Sequence, residues 1–104
     1  MNKAFIKLFH QKRQTRNGDL YDHWREAVYN KHNRQCDVCG STKNLRAHHL
    51  DCYKDHPEKR TDVNNGVCLC NTHHRQFHNI YGQGGNTKGQ YEEYKEKCKR
   101  KEIS

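Results

Sequence analysis

Short apolar stretches separated by polar ones predict a mixture of helices and strands along this chain. The first helix is expected to follow Asp19, a residue type that commonly caps helices, and to end near His32. Its apolar positions recur at i, i+4, i+7 and i+8, which predicts one buried stripe: Leu20, Trp24, Ala27 and Val28. The pattern of residues 1–17 does not distinguish a turn of helix from a loose basic arm.

Two strands are predicted in the middle of the chain. Weak alternation favours a strand over residues 45–50, and a second strand over residues 67–70 follows a turn at residues 64–66. The polar loop between them, residues 51–61, contains the single proline of the chain. The pattern therefore predicts two short strands joined by a polar loop.

A helix is predicted directly after the second strand. It covers residues 71–80, directs Phe77 and Ile80 to the core, and ends where three glycines follow within residues 81–85.

A terminal helix is predicted from residue 88 to about residue 101. Thr87 and Gln90 have the spacing of a capping box, and Tyr91 and Tyr94 are expected on the inner side. The chain contains no internal repeat, so we expect one domain with three parts: an N-terminal basic arm (1–18), a core (19–86) and a C-terminal helix (87–104).

The composition predicts a core that is too thin to fold by burial alone. Hydrophobic residues make up 31% of the 104 residues, and 20 Lys and Arg against 12 Asp and Glu give a net charge of +8. Small polar domains usually need disulfides, metals or partners. The six cysteines and nine histidines favour a metal, while the positive charge favours a polyanionic partner such as nucleic acid.

Disulfide bonds are the alternative to a metal. Residues 1–10 lack the apolar stretch of a signal peptide, and no run of residues is long enough to span a membrane. The cysteines fall in close pairs next to histidines, which is typical of metal sites. We therefore expect a soluble, cytoplasmic protein with reduced thiols and no membrane partner.

The first candidate metal site combines Cys36-x-x-Cys39 with Cys70-x-x-His73. Four sulfur and nitrogen ligands in two close pairs are the set that structural zinc prefers. Cys68 and Cys52 are rival ligands. Cys68 is a candidate because alternation along a strand puts it on the same face as Cys70.

The second candidate site is formed by histidines. His74 and His78 lie at i and i+4, hence on one face of the predicted helix. His48 and His49 are neighbours on a strand and point to opposite sides, so one of them can join the pair while the other stays beside the metal. Three protein ligands leave open positions for water or a phosphate oxygen, as in catalytic metal sites.

The motifs together resemble those of the HNH endonucleases, in particular the small free-standing bacteriophage members. The resemblance extends from about Trp24 to Tyr94 and is carried by three segments: Cys36-x-x-Cys39-Gly40, Leu45-x-Ala47-His48-His49-Leu50, and Asn65-x-x-x-Leu69-Cys70-x-x-His73-His74-x-x-Phe77-His78. It implies a small, zinc-stabilised α+β domain with a ββα-metal (HNH, or His-Me finger) core and flanking N- and C-terminal helices. His73 departs from the pattern, since many relatives have a fourth cysteine there.

The resemblance also implies a role for each matching residue. His48, His74 and His78 are similar to the ligands of the catalytic metal, His49 to the general base, and Asn65 to the asparagine that holds the loop between the strands. It implies metal-dependent hydrolysis of DNA phosphodiester bonds, by nicking or double-strand cleavage, with one structural zinc and one catalytic divalent ion (Mg, Mn, Ni or Zn).

Contacts with DNA are expected to be largely independent of base sequence, because no segment is typical of base reading. The expected phosphate contacts are made by Arg46, Lys54, Lys59, Arg60 and Arg75. Two alternative hypotheses are a noncatalytic zinc-binding nucleic-acid adaptor and a phage packaging accessory that recruits a terminase or another larger enzyme.

Overall fold

The computed structural model describes residues 18–103. The predicted arm therefore lies outside the described residues, apart from Gly18. The helices are α1 (Asp19–Lys31), α2 (Asn71–Tyr81) and α3 (Lys88–Lys99), and the strands are β1 (Leu45–His49) and β2 (Gly66–Cys70). Two short 3₁₀ turns, Pro57–Lys59 and Val63–Asn65, lie in the loop between the strands. This arrangement confirms the predicted α+β class.

The two strands form an antiparallel hairpin on which both candidate sites are built. The register pairs Leu45 with Cys70 at one end and His49 with Gly66 at the other. Because α2 follows β2 directly, the histidines of α2 lie close to the hairpin. Cys70 therefore lies at one end of the hairpin, while His48 and His49 lie near the other end, so the two candidate sites are separate.

The start of α1 corrects the predicted cap. Asp19 is the first helical residue, and the capping position is taken by Gly18, which is extended (φ −92°, ψ 169°). The backbone carbonyl of Gly18 accepts a hydrogen bond of 3.2 Å from the N–H of Asp22. Asp19 and Asp22 instead place negative charge in the first turn, where it is favoured by the helix dipole.

The buried side of α1 is narrower than predicted. Trp24 and Val28 are buried, whereas Ala27 is exposed. The buried pair packs over Gly66 so closely that a Cβ there would clash with Val28 Cγ2 and lie 2.8 Å from Trp24 Cζ2. The missing side chain of Gly66 is therefore what allows α1 to approach the sheet.

The sheet separates two groups of buried residues. The group on the α1 side consists of Trp24, Val28 and Cys68. The group that packs with α2 and α3 is larger: Cys36, Leu50, Val67, Leu69, Cys70, Phe77, Tyr91 and Tyr94. Successive residues of a strand therefore enter different environments.

The inner side of α2 also differs from the prediction. Phe77 is fully buried, but Ile80 is 43% exposed. Tyr81, at i+4 from Phe77, packs against the core instead, and the two ring centroids lie 4.9 Å apart. The helix then ends at Gly82, whose φ of +95° favours glycine.

The terminal helix begins as predicted. Gln90 N–H donates to Thr87 Oγ1 at 3.1 Å, and Thr87 N–H donates to Gln90 Oε1 at 3.0 Å, which completes the capping box. Tyr91 and Tyr94 are buried on its inner side. Within residues 18–103, no helix is long and apolar enough to cross a membrane.

Candidate metal centres and active-site cleft

Four predicted ligands of a structural metal meet at the cysteine end of the hairpin. The donor atoms of Cys36, Cys39, Cys70 and His73 all lie within 4.8 Å of one another. Cys39 Sγ is 3.8 Å from Cys70 Sγ, which is 3.3 Å from His73 Nδ1. A tight turn ended by Gly40 (φ +77°) presents the first pair, and the junction of β2 and α2 presents the second.

The chemistry of these donors fits a zinc-like cation. The Val38 N–H points at Cys36 Sγ (3.4 Å), and although burial acts in the opposite direction, backbone N–H groups hold the pKa of Cys36 below its usual value. Burial and the neighbouring thiols raise the pKa of Cys39 to about 11. A cation is needed to stabilise several thiolates in so small a space.

The two rival cysteines lie outside this cluster. Cys68 is fully buried against Trp24 and Val28 on the α1 side of the sheet, and burial raises its pKa to about 11. Cys52 lies in the loop after β1, where its thiol donates to Asp55 Oδ2 at 3.2 Å. Side chains alternate between the two faces of the sheet along β2, but this alternation stops at Cys70, where β2 ends and α2 begins. Cys70 therefore does not share a face with Cys68, contrary to the prediction from the sequence.

Three histidines form a second cluster on the α2 side of the hairpin. The donor atoms of His48, His74 and His78 lie within 4.8 Å of one another, and His74 Nε2 is 3.2 Å from His78 Nε2. His48 is 4% exposed, and its Nε2 is buried without a hydrogen-bond partner in the described part of the chain. A buried nitrogen of this kind fits a cation as its missing partner.

Two of the three clustered histidines favour the neutral form that binds metals. Burial, followed by the nearby imidazoles, lowers the pKa of His48 to about 3. Burial, followed by His78 and Arg46, lowers the pKa of His74 to about 4. His78 Nδ1 is 2.8 Å from the carbonyl oxygen of Gly82, which can only accept, so Nδ1 donates and the lone pair lies on Nε2.

His49 lies on the other side of β1 and outside the histidine cluster. Its Nε2 is 2.9 Å from the carbonyl oxygen of Arg60 and therefore donates to it, so Nδ1 is the acceptor of the neutral ring. Trp24 stacks on the ring with centroids 3.7 Å apart and planes inclined by 7°. These contacts fix both the tautomer and the orientation of the imidazole.

Asn65 holds the loop between the strands against the end of β1. It is 6% exposed, and its Oδ1 accepts from the N–H of Asp51 at 2.9 Å. Its Nδ2 donates to the carbonyl oxygens of Asp51 (3.0 Å) and Lys59 (3.3 Å). The carbonyl oxygen of Arg60, which accepts the hydrogen bond from His49 Nε2, follows directly after that of Lys59 in this loop.

A cleft of about 600 Å³ brings these groups together. It is lined by all four histidines (His48, His49, His74 and His78) and by three basic residues (Arg25, Arg46 and Lys54). Its described lining contains no aspartate or glutamate. This combination gives a positively charged surface next to a potential metal ion.

The basic lining differs from the predicted set. Of the five predicted residues, Arg46 and Lys54 line the cleft, whereas Arg75, exposed on α2, does not. Lys59 forms an ion pair of 2.7 Å with Asp51. Arg60 donates to the carbonyl oxygens of Tyr53 (2.6 Å) and Lys54 (3.2 Å) within its own loop. Lys59 and Arg60 thus stabilise the loop.

Several residues in the cleft or beside it had no functional role assigned from the sequence. The helical pattern marked Trp24 as a core residue, and Arg25, which follows it, had no predicted role. Gly82 was one of the three glycines expected to end α2, and Asn86 was not linked to His78. Their roles depend on contacts between elements, which periodicity does not reveal.

The comparisons with known proteins address this same segment. Residues 36–81 match the family model of the HNH endonucleases. No curated protein and no solved structure matches the chain significantly. The matched segment contains both ligand clusters, His49 and Asn65. The chain is therefore similar to the HNH endonucleases over somewhat less than half of its length, in the segment that contains both clusters.

Proposed function

We propose that this protein is a divalent-metal-dependent endonuclease that hydrolyses DNA phosphodiester bonds. One observation carries the proposal: a cleft lined by basic residues joins a three-histidine cluster to a separate histidine whose tautomer is fixed. The family supports nuclease activity. The choice of DNA and the assignment of roles are our inference from the cleft.

His48, His74 and His78 would hold the catalytic divalent cation. When bound, such a cation supplies Lewis-acid stabilisation of charge on the phosphate and on the departing 3′ oxygen. The chain contributes three imidazoles, one on β1 and two on α2, with His78 oriented by the Gly82 carbonyl. Imidazole donors suit Zn and Ni, and Mg and Mn are the other candidates for the ion that supports turnover.

His49 is assigned the role of general base. Its Nδ1 accepts a proton from water, and the resulting hydroxide attacks the phosphorus while the bond to the 3′ oxygen breaks. The leaving oxygen takes the bond electrons and a solvent proton, which yields 5′-phosphate and 3′-hydroxyl ends. The Arg60 carbonyl and the stacked face of Trp24 both favour the imidazolium that forms. Asn65 positions His49 by fixing the loop that contains this carbonyl.

Cys36, Cys39, Cys70 and His73 would hold a structural zinc ion. Four protein donors leave no open position, in contrast to the three-histidine cluster. The ion would tie the turn before β1 to the start of α2 and so stabilise the helix that contains His74 and His78.

Arg25 is expected to contact a DNA phosphate. It stacks over the Tyr21 ring at 5.7 Å, and its Nε is buried without a hydrogen-bond partner in the part of the chain that the structure describes. Arg25→Gln should weaken binding to a DNA duplex and reduce the slope of log affinity against log salt by about 1. Fluorescence anisotropy at several salt concentrations measures both quantities.

Arg34→Gln is the matched control, since Arg34 is another arginine close to α1 in the sequence. Arg34 also stacks over a tyrosine (Tyr29, 5.3 Å), but it is ion-paired with Glu26 at 3.1 Å and lies outside the cleft. Its replacement should leave the salt slope unchanged. Equal slopes for the wild type and both variants would remove Arg25 from the DNA interface.

Supercoiled plasmid tests the proposed function directly. Protein that retains one zinc but has lost its second metal should leave the plasmid intact, and adding back Mg, Mn, Ni or Zn singly should identify the ion that produces nicked or linear DNA. Mapping of the ends should give 5′-phosphates. DNA binding without cleavage under every ion would favour the noncatalytic adaptor, and cleavage only with a larger partner, such as a terminase, would favour the packaging accessory.

A further inference from the structure

We propose that Asn86 is a positioning residue for the metal ligand His78 and acts through the backbone carbonyl of Gly82. The inference rests on the metal site of the proposed function. Asn86 lies in the segment between α2 and α3, outside the residues matched by the family model. It is 4% exposed and lines the cleft.

The Gly82 carbonyl connects the two side chains. It accepts a hydrogen bond from His78 Nδ1 at 2.8 Å and another from Asn86 Nδ2 at 3.2 Å. A carbonyl oxygen has two lone pairs, so these two donors fill its capacity. The orientation of the His78 ring therefore depends on a carbonyl that Asn86 holds in place.

This carbonyl would have few other restraints. Gly82 has a φ of +95° and starts a run, Gly82-Gln83-Gly84-Gly85, in which glycines leave the backbone free to rotate. The N–H of Gly82 donates to the carbonyl of His78 at 2.8 Å, which fixes only the peptide on its N-terminal side. The Asn86 side chain fixes the peptide that follows.

The side chain of Asn86 is itself rigidly held. Besides Gly82, its Nδ2 lies within 3.4 Å of the Tyr81 carbonyl and 3.3 Å of Gln90 Oε1. All three partners are oxygen acceptors, which requires the NH₂ group of the amide to face them. The backbone carbonyl of Asn86 also accepts from the N–H of Cys52 at 3.0 Å, a contact that does not involve the side chain.

Loss of the side-chain amide is expected to weaken metal binding at the histidine cluster. Partners that orient a ligating histidine typically change metal affinity by about 10–100-fold when replaced. Asn86 contacts the Gly82 carbonyl and not His78 itself, so we expect an effect at the lower end of this range. Asn86→Leu, which preserves side-chain volume, should weaken Ni²⁺ binding about tenfold. The reduction should be smaller than that of His78→Ala, which removes the ligand.

Thr87→Ala is the matched control, since it also disturbs the start of α3. Within residues 18–103, Thr87 is exposed, exchanges hydrogen bonds with Gln90 and forms none with Gly82. Calorimetric titration of zinc-loaded protein with Ni²⁺ gives the affinity of the histidine cluster, while zinc content and thermal unfolding report on the fold. Thr87→Ala should lower the unfolding temperature yet change the Ni²⁺ affinity less than twofold.

The outcomes separate this inference from the proposed function. Equal Ni²⁺ affinities for the wild type, Asn86→Leu and Thr87→Ala would overturn the positioning role and make Asn86 a structural residue. If the leucine variant loses its zinc, the Ni²⁺ affinity of Asn86→Ala is compared with that of the wild type in its place. A wild type that binds Ni²⁺ through His78 but cuts no DNA under any ion would overturn the proposed function alone.

Discussion

Replacing His49 with alanine is expected to reduce the rate of plasmid nicking at least a hundredfold. A general base typically contributes about 10²–10⁴ to the rate of a hydrolysis, and its removal leaves only the metal and the basic residues. His49 is not among the three clustered histidines, so both metals should stay bound. The rate is measured from the disappearance of supercoiled plasmid, with metal content determined on the same preparation.

The control for this variant is His56→Ala. His56 lies in the loop that follows β1, with its Nδ1 3.6 Å from Glu58 Oε2, and does not line the cleft. Its replacement should leave the nicking rate within about twofold of the wild type. Because His49 also stacks on Trp24, circular dichroism must show that the alanine variant remains folded. Undiminished cutting by folded His49→Ala protein would exclude His49 as the base.

The second large effect is expected from Cys70→Ser, which should abolish zinc binding and unfold the protein. Zinc contributes roughly 10–16 kcal/mol to the folding of zinc-finger peptides. Whole domains are stable by only about 5–15 kcal/mol, so a thin core cannot compensate for that loss. Zinc content by elemental analysis and thermal unfolding by circular dichroism measure the two consequences.

Cys68→Ala distinguishes a ligand from an ordinary buried cysteine. The Cys68 thiol packs against Trp24 and Val28, so its removal should lower stability modestly through a small cavity. One zinc per chain should remain bound. Zinc loss in Cys68→Ala with retention in Cys70→Ser would show that the two cysteines had been assigned the wrong way round.

Local patterns in the sequence were sufficient to predict most elements of the fold. The stripe around Trp24 and Val28, the alternation in the strands and the capping box at Thr87 each depend on neighbouring residues, so the three helices and the two strands were predictable. The errors concern single positions whose environment is tertiary. Ala27 and Ile80 are apolar and helical, but their sides of α1 and α2 face solvent.

The site was predictable to the extent that its donors are close in sequence. Cys-x-x-Cys, Cys-x-x-His and the i, i+4 pair His74 and His78 bring donors together within one turn or helix, whatever the rest of the chain does. Alternation likewise separates His48 from His49. The resemblance to HNH endonucleases, rather than this spacing, named which of the two would join the metal.

The sequence alone therefore determined the order of the elements and the closely spaced pairs of candidate metal donors, because both follow from short-range backbone geometry. Only the tertiary structure decided what surrounds them. The close packing of α1 over Gly66 puts Trp24 against His49, and the contacts of Lys59 and Arg60 hold the loop instead of lining the cleft. The segment between α2 and α3 brings the Asn86 side chain within hydrogen-bond distance of the Gly82 carbonyl. Such contacts join residues distant in sequence, and the free energy that selects them comes from packing the whole domain.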